Sequence, residues 1–287
     1  MKVLCLILGA RAFELVPKQF EGSFENFPVE RILAENSDDD LFHAFEERYR
    51  NATTTPSTTE NELEEVMKIK MVKNFIMYLQ DVPRFGKYFN YGCHCFKDNG
   101  KDYLKNPTFG KPRDRSDQVC QDHQKCHHCI KLDYGHQCKA TKGYKFEARM
   151  DSLTGVKYIQ CEDKEGSCEK NLCECDKALA YDLADTQGIW SLANHVEWGA
   201  FKGDQSCEKW TPPKVQLKSA RLMAQLNPAK HECCGEYPRR FPYVADNGEG
   251  VEKKCCAGSV FSPDSHECCD EEVKEIGMCV GTYFPGL

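Results

Sequence analysis

Residues 120–126 read CQDHQKC and residues 168–176 read CEKNLCECD. These two stretches predict how the central helices pack. Residues one helical turn apart share a face, so His123 lies beside Cys126. If Cys126 and Cys175 form a disulfide, their Cα atoms lie about 5.5–6 Å apart and two helices are clamped side by side. Asp176 can then face His123 across the seam. A histidine oriented by a carboxylate is a general-base arrangement.

Periodicity and turn signals predict a mainly α, disulfide-rich fold. The predicted elements are a helix over about 113–133, a second from Cys168 or Cys173 to Asp185, and a β-hairpin formed by 144–149 and 156–161. The expected core is therefore two antiparallel helices clamped by disulfides, with a small hairpin beside them. The tail is expected to be small, cysteine-rich, and irregular or β.

Residues 63–82 carry apolar side chains at helical spacing on one stripe. This pattern favours a core-facing helix over a membrane-surface helix. No run of about 18 apolar residues occurs, so no transmembrane segment is predicted. The tryptophans Trp190, Trp198 and Trp210 form either an interfacial rim for lipid or ordinary packing.

The cysteine content indicates an oxidising compartment. The chain has 19 cysteines, and residues 1–12 combine a positive start, a short apolar run and an A-x-A cleavage pattern. We interpret them as a signal peptide. Its removal takes Cys5 away and leaves an even number of cysteines, as a disulfide framework requires. Asn51 lies in a glycosylation sequon that only a secreted chain uses. We predict a secreted, extracellular protein.

Acidic charge is concentrated near the N-terminus. The net charge is −7, and residues 13–62 contain 12 acidic and 4 basic side chains but no cysteine. Residues 53–59 read TTTPSTT, which suits O-glycosylation. We interpret 13–62 as a pro-segment released near Arg48 or Arg50, or as a solvated linker. Neither charge nor motifs indicate a nucleic acid partner.

The C-terminal region has a different cysteine pattern. Residues 211–230 read as a linker, and residues 231–287 contain seven cysteines, six of them in adjacent pairs. The pairs are 233–234, 255–256 and 268–269, followed by Cys279. Because so short a segment buries little hydrophobic core, we expect disulfides to stabilise it. Its repeats resemble the galaxin-type dicysteine repeats of secreted matrix proteins.

The motifs of the central region together resemble secreted phospholipase A2. They are YGCHC at 91–95, residues 110–114 with Asp117, His123 between Cys120 and Cys126, and the run Cys161, Cys168, Cys173, Cys175, Asp176. The resemblance covers about residues 63–210. It implies a His123–Asp176 dyad that activates water against the sn-2 ester of a phospholipid, with calcium polarising the ester carbonyl.

The resemblance also implies a set of disulfides. They are Cys93–Cys207, Cys95–Cys120, Cys126–Cys175, Cys138–Cys168 and Cys161–Cys173. One further bridge of the family is missing at both ends, since its positions fall at Val119 and near Asp182. Cys129 has no partner in the family. We therefore expect Cys129 to bond to a tail cysteine and dock the tail.

The calcium site departs from the family pattern. Gln124 stands where the family has an aspartate ligand, and Phe96 stands where its calcium loop has glycine. We expect a degraded site at Gln124, His94, Phe96 and Asp98, because calcium gains affinity from ligand charge. Calcium binding would then be weakened. The acids Asp98, Asp102, Asp114 and Asp117 are either a rebuilt cation site or merely solvated.

Two functions follow from these observations. In the first, the protein is catalytically impaired and binds in an extracellular matrix or at a mineral or phospholipid surface, as the phospholipase A2-like otoconins do. In the second, it is an active phospholipase A2 that uses His123 and Asp176. The first is favoured because the loss of Lewis-acid polarisation costs several kcal/mol of transition-state stabilisation.

Overall fold

Three long helices and four small sheets make up the described part of the chain. A computed structural model describes residues 16–27, 60–80, 85–97, 110–208, 229–248 and 250–279. The helices are α1 (Glu60–Leu79), α2 (Arg115–Tyr134), α3 (Cys168–Asp185) and the short α4 (Gly203–Ser206). The strands are β1 (Glu21–Phe24), β2 (Lys145–Met150), β3 (Lys157–Cys161), β4 (Lys230–Cys234), β5 (Phe241–Asp246), β6 (Lys254–Cys256), β7 (Ser259–Phe261), β8 (His266–Cys269) and β9 (Glu272–Glu275).

Helices α2 and α3 pack against each other and are joined by the Cys126–Cys175 disulfide, with Cα atoms 6.0 Å apart. Asp114 caps α2 by accepting the backbone N–H of Asp117 at 2.9 Å. Ser167 caps α3 in the same way. The caps set where each helix begins, close to the predicted boundaries.

Helix α1 lies in the hydrophobic core. Five residues of the predicted stripe are buried, and Leu63 and Leu79 at its two ends are half-buried. The buried ones are Val66, Ile69, Val72, Phe75 and Ile76. The helix is therefore core-facing rather than a membrane-surface helix. Burial also extends to Lys68 and Lys73, outside the stripe. None of the helices described combines the length and apolarity that a membrane span requires.

A three-stranded sheet packs beside α1. Strands β2 and β3 form the predicted antiparallel hairpin around the turn at 151–155. Strand β1 pairs in parallel with β2, which adds a strand that the sequence did not predict. The interpretation of 13–62 as a solvated linker is therefore wrong for residues 16–27. We call these residues the N-terminal strap.

Aromatic side chains explain why the strap joins the core. The ring of Phe24 lies 5.1 Å from that of Phe146 and 6.1 Å from that of Phe75, measured between centroids. Phe20 is buried and packs edge-on against Tyr144. The net negative charge of residues 13–62 suggested a solvated segment, so composition did not predict that these phenylalanines pack in the core.

Nine disulfides join cysteines of the described residues. Five are those implied by the resemblance: Cys93–Cys207, Cys95–Cys120, Cys126–Cys175, Cys138–Cys168 and Cys161–Cys173. Cys129 bonds to Cys233, which ties the tail to α2. Where the family's further bridge is missing, Asp182 instead forms an ion pair with Arg239 of the tail.

The tail is a succession of three antiparallel hairpins, β4–β5, β6–β7 and β8–β9. Each begins with a strand that carries a cysteine pair. The second cysteine of each pair bonds to the next cysteine along the chain: Cys234–Cys255, Cys256–Cys268 and Cys269–Cys279. The first hairpin docks on the helices, where Arg239 binds Asp182 at 2.5 and 2.7 Å, and Arg240 and Tyr237 bind Asp133.

Several predicted features lie outside the described residues: the signal peptide at 1–12, Asn51, the Thr-rich stretch, Asp98, Asp102, Trp210 and most of the linker. The other two tryptophans make packing contacts. Trp190 donates its indole N–H to the carbonyl of Lys87 at 3.1 Å. The ring of Trp198 stacks on that of His195, with centroids 4.5 Å apart.

Replacing Cys129 and Cys233 together by serine should loosen the tail. We expect the free energy of unfolding to fall by about 2–4 kcal/mol, because the bridge closes a long loop. Deuterium uptake in β4 and β5, read by mass spectrometry, should rise. The matched control replaces Cys269 and Cys279, a bridge at the far end of the tail. Equal uptake in β4 and β5 for both double variants would contradict the docking role of Cys129.

Candidate functional site

His123 and Asp176 meet in the buried seam between α2 and α3. His123 lies one turn before Cys126, and Asp176 directly follows Cys175, so the disulfide between these cysteines brings the pair together. His123 Nε2 lies 2.9 Å from Asp176 Oδ1. His123 is only 3% exposed and Asp176 is fully buried. The two candidate catalytic residues are thus in hydrogen-bond contact.

Three further side chains converge on the Asp176 carboxylate. His127 Nε2 lies 2.9 Å from the same Oδ1, while Tyr144 donates its hydroxyl to Oδ2 at 2.7 Å. Lys68 Nζ lies 2.6 Å from Oδ2. A carboxylate offers about four acceptor positions, so these four donors fill it. We call these five residues the Asp176 cluster.

Sequence reasoning found only His123 and Asp176 of this cluster. His127 was placed on the face of His123 but given no role, although its spacing of four residues was a usable signal. Lys68 lies outside the apolar stripe of α1 and therefore resembles an ordinary exposed lysine. Tyr144 begins an alternating stretch and resembles an ordinary strand residue.

Burial and charge act against each other on this cluster. Burial opposes the charge of Asp176, but Lys68 and the two histidines outweigh it and hold the pKa of Asp176 well below its usual value. Burial lowers the pKa of Lys68 and of His123, although Asp176 raises both. Burial also lowers the pKa of His127 to about 3. Both imidazoles are therefore neutral and donate Nε2–H to an ionised carboxylate, which leaves the lone pair of His123 on Nδ1.

Gln124 follows His123 and turns towards the loop that precedes α2. Its amide Nε2 donates a hydrogen bond to the backbone carbonyl of His94 at 3.1 Å, and both residues are buried. The nitrogen must face the carbonyl, because two oxygens would repel each other. A protein N–H group therefore engages a backbone oxygen of this loop.

Phe96 anchors the same loop in the core. Its backbone has φ +37°, in the region that favours glycine. Its ring lies 5.3 Å from that of Phe85 and 5.8 Å from that of Phe89, between centroids. The aromatic contacts account for a phenylalanine at a position whose backbone suits glycine.

Asp117 holds the loop from the side of α2. Its carboxylate accepts the backbone N–H groups of Cys93, His94 and Arg113 at 2.7–3.0 Å. Burial raises the pKa of Asp117, although these donors act to lower it. Gly92, at φ +59°, makes room for it, since a Cβ there would lie 2.3 Å from Asp117 Cγ.

Asp114 is similarly engaged. Besides capping α2, it accepts the hydroxyl of Tyr91 at 2.5 Å and the amide of Asn194 at 2.7 Å. The hypothesis that Asp114 and Asp117 help to rebuild a cation site is therefore wrong, because protein N–H and O–H groups occupy their oxygens. Both acids instead fix the start of α2 and the loop beside it.

Known proteins match the central part of this chain in sequence. The chain is 33% identical over 128 residues to the group IID secretory phospholipase A2 of Mus musculus, which covers 44% of this chain and 76% of that relative. The chain belongs to the phospholipase A2 family. The sequence model of that phospholipase A2 family matches residues 69–191. Two further relatives are matched over smaller parts of their length.

One is the membrane-associated phospholipase A2 of Cavia porcellus, at 37% identity over 97 residues, 34% of this chain and 55% of that relative. Another is the group 10 secretory phospholipase A2 of Rattus norvegicus, at 36% over 126 residues, 44% of this chain and 67% of that relative. Secretory members of the phospholipase A2 family are generally calcium-dependent. The tail beyond residue 229 lies outside the matched family region.

Replacing Asp176 by asparagine should destabilise the fold. We expect a loss of about 3–5 kcal/mol in the free energy of unfolding at pH 7, because the change leaves Lys68 buried without a counter-ion. The pKa of Asp176 is depressed in the fold, so its contribution is complete above the unfolded value of about 3.9. It is lost as the pH falls through the lower folded value.

Chemical denaturation at pH 7 and at acidic pH measures this difference. Glu174→Gln is the matched control, since Glu174 lies on the same helix and pairs with Lys177 near the surface. The double variant Lys68→Met, Asp176→Asn should recover part of the loss. A loss for Asp176→Asn no larger than that for Glu174→Gln would contradict the role given to the ion pair.

Proposed function

We propose that this phospholipase A2 family member is secreted, is catalytically impaired, and acts as an extracellular binding or matrix protein. Its proposed partner is a phospholipid surface or a mineral or matrix component. The observation that carries the proposal is the hydrogen bond from the Gln124 amide to the His94 carbonyl. It places a neutral donor where a calcium-dependent enzyme needs a charged oxygen ligand.

The residues around Gln124 do not fit a calcium ion well. Calcium takes 6–8 oxygen ligands and gains affinity from their charge. To offer an oxygen, Gln124 would have to break its bond to His94 and turn its amide, and it would still bring no negative charge. Polarisation of the ester by an ion is typically worth several kcal/mol, and each 1.36 kcal/mol is about tenfold in rate. A weakened calcium site therefore predicts slow ester hydrolysis.

The rest of the chain supports an extracellular binding role. Nine disulfides suit an oxidising compartment. The acidic and Thr-rich composition of the part of 13–62 that follows the strap, with the sequon at Asn51, suits a glycosylated arm that attracts cations. The covalently docked tail adds a second folded part outside the region matched to the family.

The second candidate function is an active phospholipase A2 that cleaves the sn-2 ester. It is favoured by the contact of 2.9 Å between His123 and Asp176. In this reading His123 takes a proton from water on Nδ1, while Asp176 stays ionised and holds the ring. His123 is only 3% exposed, so substrate would have to reach a buried ring.

An assay on mixed phospholipid vesicles separates the two functions. We expect the purified protein to bind vesicles, as read by sedimentation, while fatty acid release stays at background with or without calcium. His123→Gln should leave both results unchanged. Calcium-dependent release that disappears in His123→Gln would overturn the proposal in favour of the active enzyme.

A Gln124→Asp variant tests the calcium argument. We expect it to bind calcium at least about tenfold more tightly than the wild type, a difference of about 1.4 kcal/mol, because a carboxylate replaces the amide. Isothermal titration calorimetry measures the affinity. Gln118→Asp, on the same helix but bonded to Gln121 and Asp122, is the control. No gain for Gln124→Asp would show that the loop, rather than this side chain, is the main defect.

A further inference from the structure

The N-terminal strap lies over the Asp176 cluster. The ring of Phe20 packs edge-on against that of Tyr144, with centroids 4.8 Å apart. Lys68 Nζ lies 5.8 Å from the centre of the Phe20 ring and 4.6 Å from that of Tyr144. Lys68 and Tyr144 both contact Asp176, and both are buried. One aromatic residue of the strap therefore covers two of the four donors that surround the carboxylate.

Two glycines leave room for the docked strap. A Cβ on Gly143 would lie 1.5 Å from the backbone oxygen of Gln19, and a Cβ on Gly22 would lie 2.2 Å from that of Phe146. Neither glycine has a positive φ, so backbone freedom does not explain them. Both positions need glycine because the strap and the covered chain approach each other too closely for a Cβ. One glycine belongs to the strap and the other to the part of the chain that it covers.

The strap is held without a covalent tie. No cysteine lies between residues 6 and 92, so no disulfide fixes the strap or helix α1, whereas α2 and α3 are joined by disulfides. The strap is held by the pairing of β1 with β2, by bonds from Gln19 to the carbonyls of Glu64 and Thr141, and by its aromatic rings. An edge segment that no disulfide holds can open more easily than the cross-linked helices α2 and α3.

We propose that the strap is a displaceable cover of the Asp176 cluster. Docked, it excludes solvent from Lys68 and Tyr144. Undocked, it opens the cluster on the side of α1. The inference concerns access alone, so it holds whether the domain binds lipid or cleaves it. In an active enzyme the cover would be inhibitory, and in a binding protein it would control entry of the ligand.

Chemical labelling of Lys68 tests this cover. The full chain is treated with N-succinimidyl acetate, and acetylation of Lys68 is followed by mass spectrometry, while deuterium uptake of residues 16–27 reports docking. We expect Gly143→Ala to undock the strap and raise the labelling rate of Lys68 by about tenfold or more, which corresponds to 1.4 kcal/mol in the docking equilibrium. Gly188→Ala is the matched control, since its Cβ would meet no atom within 4 Å.

A second variant guards against a failure of Gly143→Ala to fold. Phe20→Ala keeps both glycines and removes the ring above Lys68, so it should also raise the labelling rate of Lys68. Labelling that stays at the wild-type rate in both variants, with the strap exchanging freely in Gly143→Ala, would overturn the proposal. Unchanged uptake in folded Gly143→Ala would overturn it as well. Neither result depends on the outcome of the vesicle assay.

Discussion

A buried negative charge organises the helical domain. Asp176 has no contact with water and would be costly to bury alone, so the fold must bring donors to it from several directions. They come from α1, from α2 and from the start of β2. The Cys126–Cys175 disulfide joins only α2 and α3. The carboxylate extends that junction to α1 through Lys68 and to the sheet through Tyr144.

Much of the helical domain could be predicted from the sequence, because cysteine spacing reports geometry directly. A disulfide limits the distance between two Cα atoms, and the spacing of Cys126 from His123 then places the dyad. The hairpin was predictable because turn residues separate two alternating stretches. The resemblance to phospholipase A2 implied the disulfide set and the position of Gln124, and it left Cys129 over to bond to a tail cysteine that the sequence did not specify.

The parts that sequence reasoning missed depend on tertiary burial. Lys68 has the pattern of an exposed residue and becomes an ion-pair partner only because the whole of α1 is enclosed. The strap looked like a spacer because its average charge hid three phenylalanines. Asp114 and Asp117 were expected to be either cation ligands or merely solvated, because a one-dimensional pattern does not show the N–H and O–H groups that donate to them. In each case a contact between distant segments, rather than the local composition, determines the environment of the residue.

The loop before α2 is held by hydrogen bonds on one side and by aromatic packing on the other. Asp117 and Gly92 still hold the turn closely, whereas Phe96 has filled the space beside it with an aromatic ring. This departure from local backbone preference is compensated by packing. The loop that carries His94 is therefore fixed by hydrogen bonds and by packing, and Gln124 bonds to it from α2.

The alternating disulfides of the tail have a mechanical consequence. Because the cysteines of each pair are neighbours in the chain, four bridges and three single peptide links form an unbroken covalent route from Cys279 to Cys129 on α2. This route bypasses the hairpin loops entirely. A pulling force on Cys279 would be transmitted to the helical domain along this chain of bonds without having to unfold any strand, so the tail behaves as a tether of nearly fixed length.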